Sequence, residues 1–263
     1  MTDTTNITIE LPAWLWMWLL AGGLFALAKV AMLAKATGLG AGRAWAFAIA
    51  WPGMNVGEWL RQLGPTEKRL PWSAGWAALS MGAVLIWGVA RHWEHPLAAG
   101  WTGMIGMVLM LHFGLFRVLA VFWQQMGVGV RPLMDAPLRA VTVAEFWGRR
   151  WNRAFRDLSQ VLLARPLARR WGTGVALWGV FLISGVVHEL VISVPAGGGY
   201  GLPTTYFALQ AGAIVVEKRY QLRGHVWAIS VIALPAFFLF HPRFVERVIL
   251  PFLTTLGALP CTH

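Results

Sequence analysis

Acidic side chains and cysteines are what this sequence has least of, and each scarcity closes off a class of protein. The 263 residues hold 11 Asp and Glu against 22 Lys and Arg, with one cysteine and three tyrosines. A single cysteine, Cys261, permits no internal disulfide, so the chain encodes no disulfide framework and no redox compartment. Met1 to Leu11 carry no Lys or Arg before the first apolar run, which excludes the basic start of a cleaved signal peptide and predicts a retained first helix. The excess positive charge comes with no basic tail and no recognition motif, so nucleic acid is not expected as a partner. No internal repeat and no low-complexity linker divides the chain, and residues 1–263 read as one domain.

What is abundant is apolar surface. Hydrophobic residues make up 57% of the chain, 17 of them tryptophan, and only 13% of residues are charged, a composition that belongs to polytopic membrane proteins. The expected fold is all-α, an integral helical bundle. Leu11 to Met32 is long enough to span, since about 20 helical residues cross roughly 30 Å of hydrocarbon, and Lys29 is placed to snorkel to its inner end. Ala44 to Val56 is too short and is interrupted by Pro52 and Gly53, which predicts a re-entrant or interfacial piece. Trp72 to Ala90, Leu97 to Gln124, Trp171 to Val194, Thr204 to Val216 and Val226 to Phe240 read as spans. Val248 to Leu259 reads as a last short or half-buried helix. The count is about six or seven spans plus the re-entrant piece. Residues 127–170 are the most polar stretch, with nine arginines against Asp135, Glu145 and Asp157, and the positive-inside rule puts this basic loop in the cytoplasm.

Two short motifs stand out against that background. Thr142 and Glu145 form a capping-box pattern, so a helix is expected to begin just before FWGRRWN at Phe146 to Asn152. At 100° per residue, Trp147, Trp151, Phe155, Leu158 and Leu162 share one face while Arg149, Arg153 and Arg156 share the other. This describes an amphipathic helix at the inner membrane surface, with Asn152 on the boundary between its faces. Arginines against lipid phosphates and tryptophans at headgroup level would explain most of it as an anchor, but not the asparagine.

The second motif, ISGVVHEL at Ile183 to Leu190, lies inside a span. Leu177, Phe181, Ser184, Gly185, His188 and Ile192 fall on one helical face, Ser184 one turn before His188, and the small residues leave space beside the imidazole. A packed interhelical hydrogen bond explains such a histidine as well as a functional role does, although ionisable groups at this depth are functional by default. Glu189 points about 100° away and needs a partner of its own.

Acyl transfer to a hydroxyl uses these parts. A neutral imidazole takes the proton of an alcohol as its oxygen attacks a thioester carbonyl, and Asn152 holds the acyl donor or stabilises the oxyanion. Arg149, Arg150, Arg153 and Arg156 would hold the phosphates of a coenzyme A carrier, with Trp147, Trp151, Ser184 and His112 completing the substrate-binding set. Acyl-CoA is then a co-substrate, and neither cofactor nor metal is required.

The sequence resembles the membrane-bound O-acyltransferases of the wax synthase type. PLMDAP at Pro132 to Pro137, AEFWGRRWN at Ala144 to Asn152 and SGVVHEL at Ser184 to Leu190 match that family in order and spacing, and WPGM at Trp51 to Met54 and HFGLFR at His112 to Arg117 are similar to its upstream segments. The resemblance runs from about Trp51 to Glu217. It implies that His188 is the catalytic histidine and Asn152 its partner, with acyl-CoA as donor and a long-chain alcohol or other lipidic hydroxyl as acceptor. It also implies a substrate tunnel that admits the two from different sides. A short acyl donor, or a sterol or secondary-metabolite acceptor, would use the same residues. The HHxxxDG pattern of soluble-type wax ester synthases does not occur.

Two other classes would also put a histidine inside a span. A proton-coupled transporter calls for an inverted repeat and a second relaying group, neither of which is visible. A lipid-binding scaffold calls for tolerance of substitution at Asn152 and His188. His92 and His95 flank Glu94 in a short loop, an i, i+3 pair without a third ligand. His225, His241 and His263 sit at segment ends and receive no role.

Overall fold

The computed structural model describes residues 11–64 and 69–260. The expectations for residues 1–10, Cys261 and His263 lie outside those residues. Within them the chain is helical, and an isolated antiparallel bridge between Gln62 and Val128 is its one extended pairing.

Long apolar runs give the long helices. Helix α1 spans Ala13–Leu33, followed by the short α2 (Ala41–Ala50) and α3 (Val56–Leu60). Two longer rods follow, α4 (Ser73–His92) and α5 (Pro96–Gln125). After an irregular segment come α6 over residues 143–150, α7 (Arg153–Ala196), α8 (Leu202–Tyr220), α9 (His225–Leu239) and α10 (Pro242–Thr255). Helices α1, α4, α5 and α7 are long and apolar enough to cross a membrane, and α9 with α10, bent by 60° at their junction, make a fifth candidate. Their outer faces expose large apolar side chains such as Leu27, Val30, Ile105, Val226 and Leu234, as lipid-facing helices do. This is an integral membrane protein.

The span count is lower than the sequence suggests. Thr204 to Val216 does form a helix, within α8, but that helix also carries Gln210, Glu217, Lys218 and Arg219, and Gln210 and Glu217 are buried inside the protein. Val248 to Leu259 falls largely in α10, a short last helix with Val248, Ile249 and Leu253 buried, which pairs with α9 and is not a span of its own. At 10 and 5 residues, α2 and α3 are about 15 Å and 8 Å long and do not reach across.

Lys29 does not snorkel. It is 3% exposed, and its ammonium donates to the carbonyls of Phe47 (2.9 Å), Trp51 (2.6 Å) and Gly53 (2.5 Å) while sitting 3.7 Å from the Phe47 ring centroid. The end of α2 and the Trp51 to Gly53 turn leave those carbonyls without intrahelical partners, and a buried cation satisfies them.

Two apolar clusters organise the interior. One gathers Phe181 and Ile192 of α7, Tyr206, Phe207 and Ile214 of α8, Val143 of α6, and Val245, Val248 and Leu253 of α10. The other holds Met32, Phe47, Trp51, Met54, Trp59, Ala120, Leu133 and Ala154. The chain crosses from the first to the second between Val143 and Ala154.

Candidate active site

The crossing is where the sequence expectation fails. Helix α6 begins as foreseen, with Thr142 Oγ1 accepting from the Glu145 amide at 3.0 Å, while Glu145 Oε2 accepts from Val141 N at 2.9 Å. It ends after two turns, the second of them a wide π-helical one over Phe146–Arg150. Trp151 is extended (φ −99°, ψ 132°), and Asn152 is left-handed (φ 41°, ψ 65°) and caps α7, its Oδ1 accepting from Phe155 N at 3.2 Å. No continuous amphipathic helix runs from Trp147 to Leu162, and the basic loop 127–170 is helical beyond residue 142 except at this break. An asparagine is suited to the junction, because it both caps and tolerates the left-handed region.

The break is pinned on several sides. Buried Glu217 of α8 accepts from the amides of Val143 and Ala144, the latter at 3.1 Å, and from Trp227 Nε1 at 2.9 Å, so a carboxylate sits at the positive end of α6. Glu145 also holds Arg150 (Nη2 to Oε1, 2.7 Å), and its carboxyl stays below the usual range because the Val141 amide and then the Arg150 guanidinium favour the ionised form. Asp135 N donates to Arg150 O at 2.8 Å and Arg153 N to Leu133 O at 3.0 Å, which ties PLMD to both sides of the break. Trp151 is sandwiched between Phe146 (5.5 Å, 12°) and His112 of α5 (5.7 Å, 19°).

Most of the arginine set is engaged internally. Arg150 pairs with Glu145, Arg153 with Glu58 at 3.1 Å, and Arg156 with Asp157. Arg131 joins Arg153 on Glu58. Arg149 is exposed and, among the described residues, has no ion-pair partner.

His188 sits on α7 beyond its kink at Gly172 (φ 85°, ψ 166°). The expected face is the one that packs inward, since Phe181, Ser184, Gly185 and Ile192 are all buried. The space left by Gly185 is taken by α8: a Cβ added there would meet Thr204 Cα at 2.7 Å. Close approach brings Phe207 of α8 to 4.5 Å from the imidazole, centroid to centroid. The imidazole Nδ1 lies 2.7 Å from the Ser184 carbonyl oxygen. A carbonyl only accepts, so Nδ1 carries the hydrogen and a neutral ring keeps its lone pair on Nε2. Ser184 thus contributes its carbonyl. Glu189 finds its own partners at the start of α8, accepting from Gly201 N, Thr204 N and Thr204 Oγ1 at 3.0 to 3.1 Å.

His188 and Asn152 are joined indirectly. No hydrogen bond links them among the described residues. Ring contacts run from His188 to Phe207, to Trp147 (5.7 Å), to Phe146 (5.1 Å), to Trp151 and so to the residue beside Asn152. Trp147 Nε1 also donates to buried Gln210 of α8 at 3.2 Å. Phe207, Gln210 and Glu217, none of them singled out from sequence, are the side chains through which α8 holds both motifs. Their spacing of 3, 7 and 10 along one helix was the available signal. Among the described residues no three metal-ligating side chains cluster.

Comparison with known proteins bears on the same stretch. Residues 130–209 match the model of the "Membrane bound O-acyl transferase family". The chain is 26% identical over 133 residues to "Probable long-chain-alcohol O-fatty-acyltransferase 8" of Arabidopsis thaliana, covering 47% of this chain and 39% of that protein. It is 30% identical over 73 residues to the "Long-chain-alcohol O-fatty-acyltransferase" of Simmondsia chinensis (25% and 21%). It is 29% identical over 69 residues to "Acyl-CoA--sterol O-acyltransferase 1" of Arabidopsis thaliana (24% and 20%). The matches thus span two fifths or less of these relatives' lengths. No solved structure matches the chain. The matched stretch contains PLMDAP, FWGRRWN and SGVVHEL and lies among apolar helices, and over it the chain is similar to membrane-bound O-acyltransferases of the wax synthase type.

Proposed function

We propose that this protein moves an acyl group from acyl-CoA to the hydroxyl of a long-chain alcohol, releasing a wax ester and free coenzyme A. The observation that carries the reading is the imidazole of His188, whose Nδ1–H is fixed on the Ser184 carbonyl so that Nε2 is the basic nitrogen. The alcohol oxygen attacks the thioester carbon as Nε2 takes its proton; the tetrahedral intermediate then expels the thiolate, which is reprotonated. The cap at Asn152 uses only its amide oxygen, leaving the amide nitrogen to hold the donor or the oxyanion. In this reading Trp147, Trp151 and His112 wall a substrate tunnel, exposed Arg149 meets the phosphates of the carrier, and the segment 127–170 faces the cytoplasm. Arg150, Arg153 and Arg156 then act mainly by holding the break in shape. No cofactor or metal takes part.

A second reading, a sterol in place of the long-chain alcohol, is favoured by the similarity to the sterol acyltransferase. Purified protein given labelled palmitoyl-CoA with hexadecanol and with a sterol separates the two. Wax ester formed preferentially is the expected result, steryl ester alone supports the second reading, and no ester with any acceptor defeats both.

A further inference from the structure

Beside Trp151 lies a cavity of about 20 Å³ lined by His112, Phe113, Arg117, Pro132, Leu133 and Met134. A water needs roughly 10–15 Å³ of such space, so the cavity takes one oxygen-sized group. Arg117 Nε and His112 Nδ1 are buried, and Arg117 Nε has no hydrogen-bond partner. The Val108 carbonyl, one turn before His112 on the same helix, is a hydrogen-bonding neighbour of its ring. Arg117 is the firmer of the two, because a guanidinium N–H is a donor in every state. An unsatisfied buried donor costs about 1–3 kcal/mol, which calls for an acceptor from outside the chain.

The cavity is joined to the residues flanking Asn152. His112 stacks on Trp151, and Met134 Sδ accepts from Asn152 N at 3.2 Å. A phosphate group, with several peripheral oxygens, exceeds this volume. The acceptor alcohol has one oxygen, and the proposed chemistry requires it at His188, several rings away. What remains of the reactants is a carbonyl oxygen on the uncharged part of the acyl carrier.

We propose that this cavity seats an amide carbonyl oxygen of the donor's pantetheine arm, held by Arg117 against the Pro132 to Met134 wall. The inference rests on the acyl-CoA reading above, and the test separates the two. The purified chain in lipid nanodiscs is assayed with one acyl group carried on coenzyme A, pantetheine, N-acetylcysteamine and ethanethiol, the last lacking every amide. Arg117→Lys and Arg117→Met are compared with the parent at matched thermal stability. The expected result is a kcat/KM about tenfold lower for the amide-bearing thioesters, equality with the parent on the ethanethiol thioester, and an unchanged KM for the alcohol. Equal losses on all four thioesters, or none on any, would overturn the proposal, the second outcome leaving an ordered water as the occupant. Calorimetric binding of S-methyl pantetheine reads the site without turnover. Binding weakened about tenfold in Arg117→Lys or in Arg117→Met supports the proposal even if no acyl transfer is ever found, whereas binding equal in the parent and both variants, or absent from the parent, overturns it.

Discussion

The segment carrying His188 and the segment carrying Asn152 place their polar side chains by opposite means. His188 stands on an uninterrupted stretch of α7 whose backbone groups satisfy one another, and its ring borrows a carbonyl from the previous turn. Asn152 stands where two helices stop and start, and its side chain is part of what lets the backbone change direction. On the function proposed above, substitution at 188 should remove chemistry with little effect on the fold, whereas substitution at 152 should mix the two.

The largest test of that contrast is His188→Ala. Loss of a general base lowers turnover by about 10²- to 10⁴-fold. The apparent melting temperature should stay within a degree or two, since the ring's hydrogen bond is local; a large drop in stability would mean that the histidine is a packing residue.

Next is a pair at Asn152. Asn152→Gly keeps the left-handed backbone and costs a few tenths of a kcal/mol in capping, while Asn152→Ala loses the cap and strains the backbone, costing about 1–3 kcal/mol. If the amide serves the reaction, both lose about 10²- to 10³-fold in kcat despite their different stabilities. Activity that follows stability instead, with the glycine variant nearly normal, would reduce Asn152 to a cap.

A smaller effect belongs to Glu217. Glu217→Ala leaves the Val143 and Ala144 amides and the Trp227 indole without their acceptor, which costs about 2–4 kcal/mol in denaturant unfolding. Glu217→Gln keeps an acceptor and should recover much of that loss. Because α8 also carries Phe207, protection from hydrogen exchange should fall around residues 143–150 more than around 184–188.

The smallest effect is that of Glu145, whose pKa is lowered by the Val141 amide and Arg150. Its stabilisation is present at neutral pH and above the ordinary carboxylate value, and is lost as the pH falls through the lowered one. Glu145→Gln should therefore reduce stability by less than about 1 kcal/mol at pH 7 and by nothing at low pH, measured by thermal unfolding across pH.

How far each region could be read in advance follows the same division. The His188 face was legible because one helical period governs every position from Leu177 to His188, and the small residues that let α8 approach are visible as Ser184 and Gly185. At Asn152 the period was misleading: apolar residues recur across the break, so Trp147 to Leu162 looks like one helix. The capping preference of asparagine was a usable signal that lost to the stronger pattern. Lys29 departs from its expected place for a related reason. Hydropathy treats a lysine near a span's end as seeking water, whereas here three carbonyls of a distant turn lie nearer to it.

The sequence by itself determined the helical membrane class, the long apolar spans, the start of α6 and the inward face of α7, because these depend on hydrophobic periodicity and capping within a few residues. Only the tertiary structure decided where the chain breaks between its two cores, that Arg131 and Arg153 are tied to Glu58, and that α8 holds both motifs. These outcomes depend on groups far apart in the chain meeting in a low-dielectric interior, where every polar atom must find a partner and local pattern does not say which.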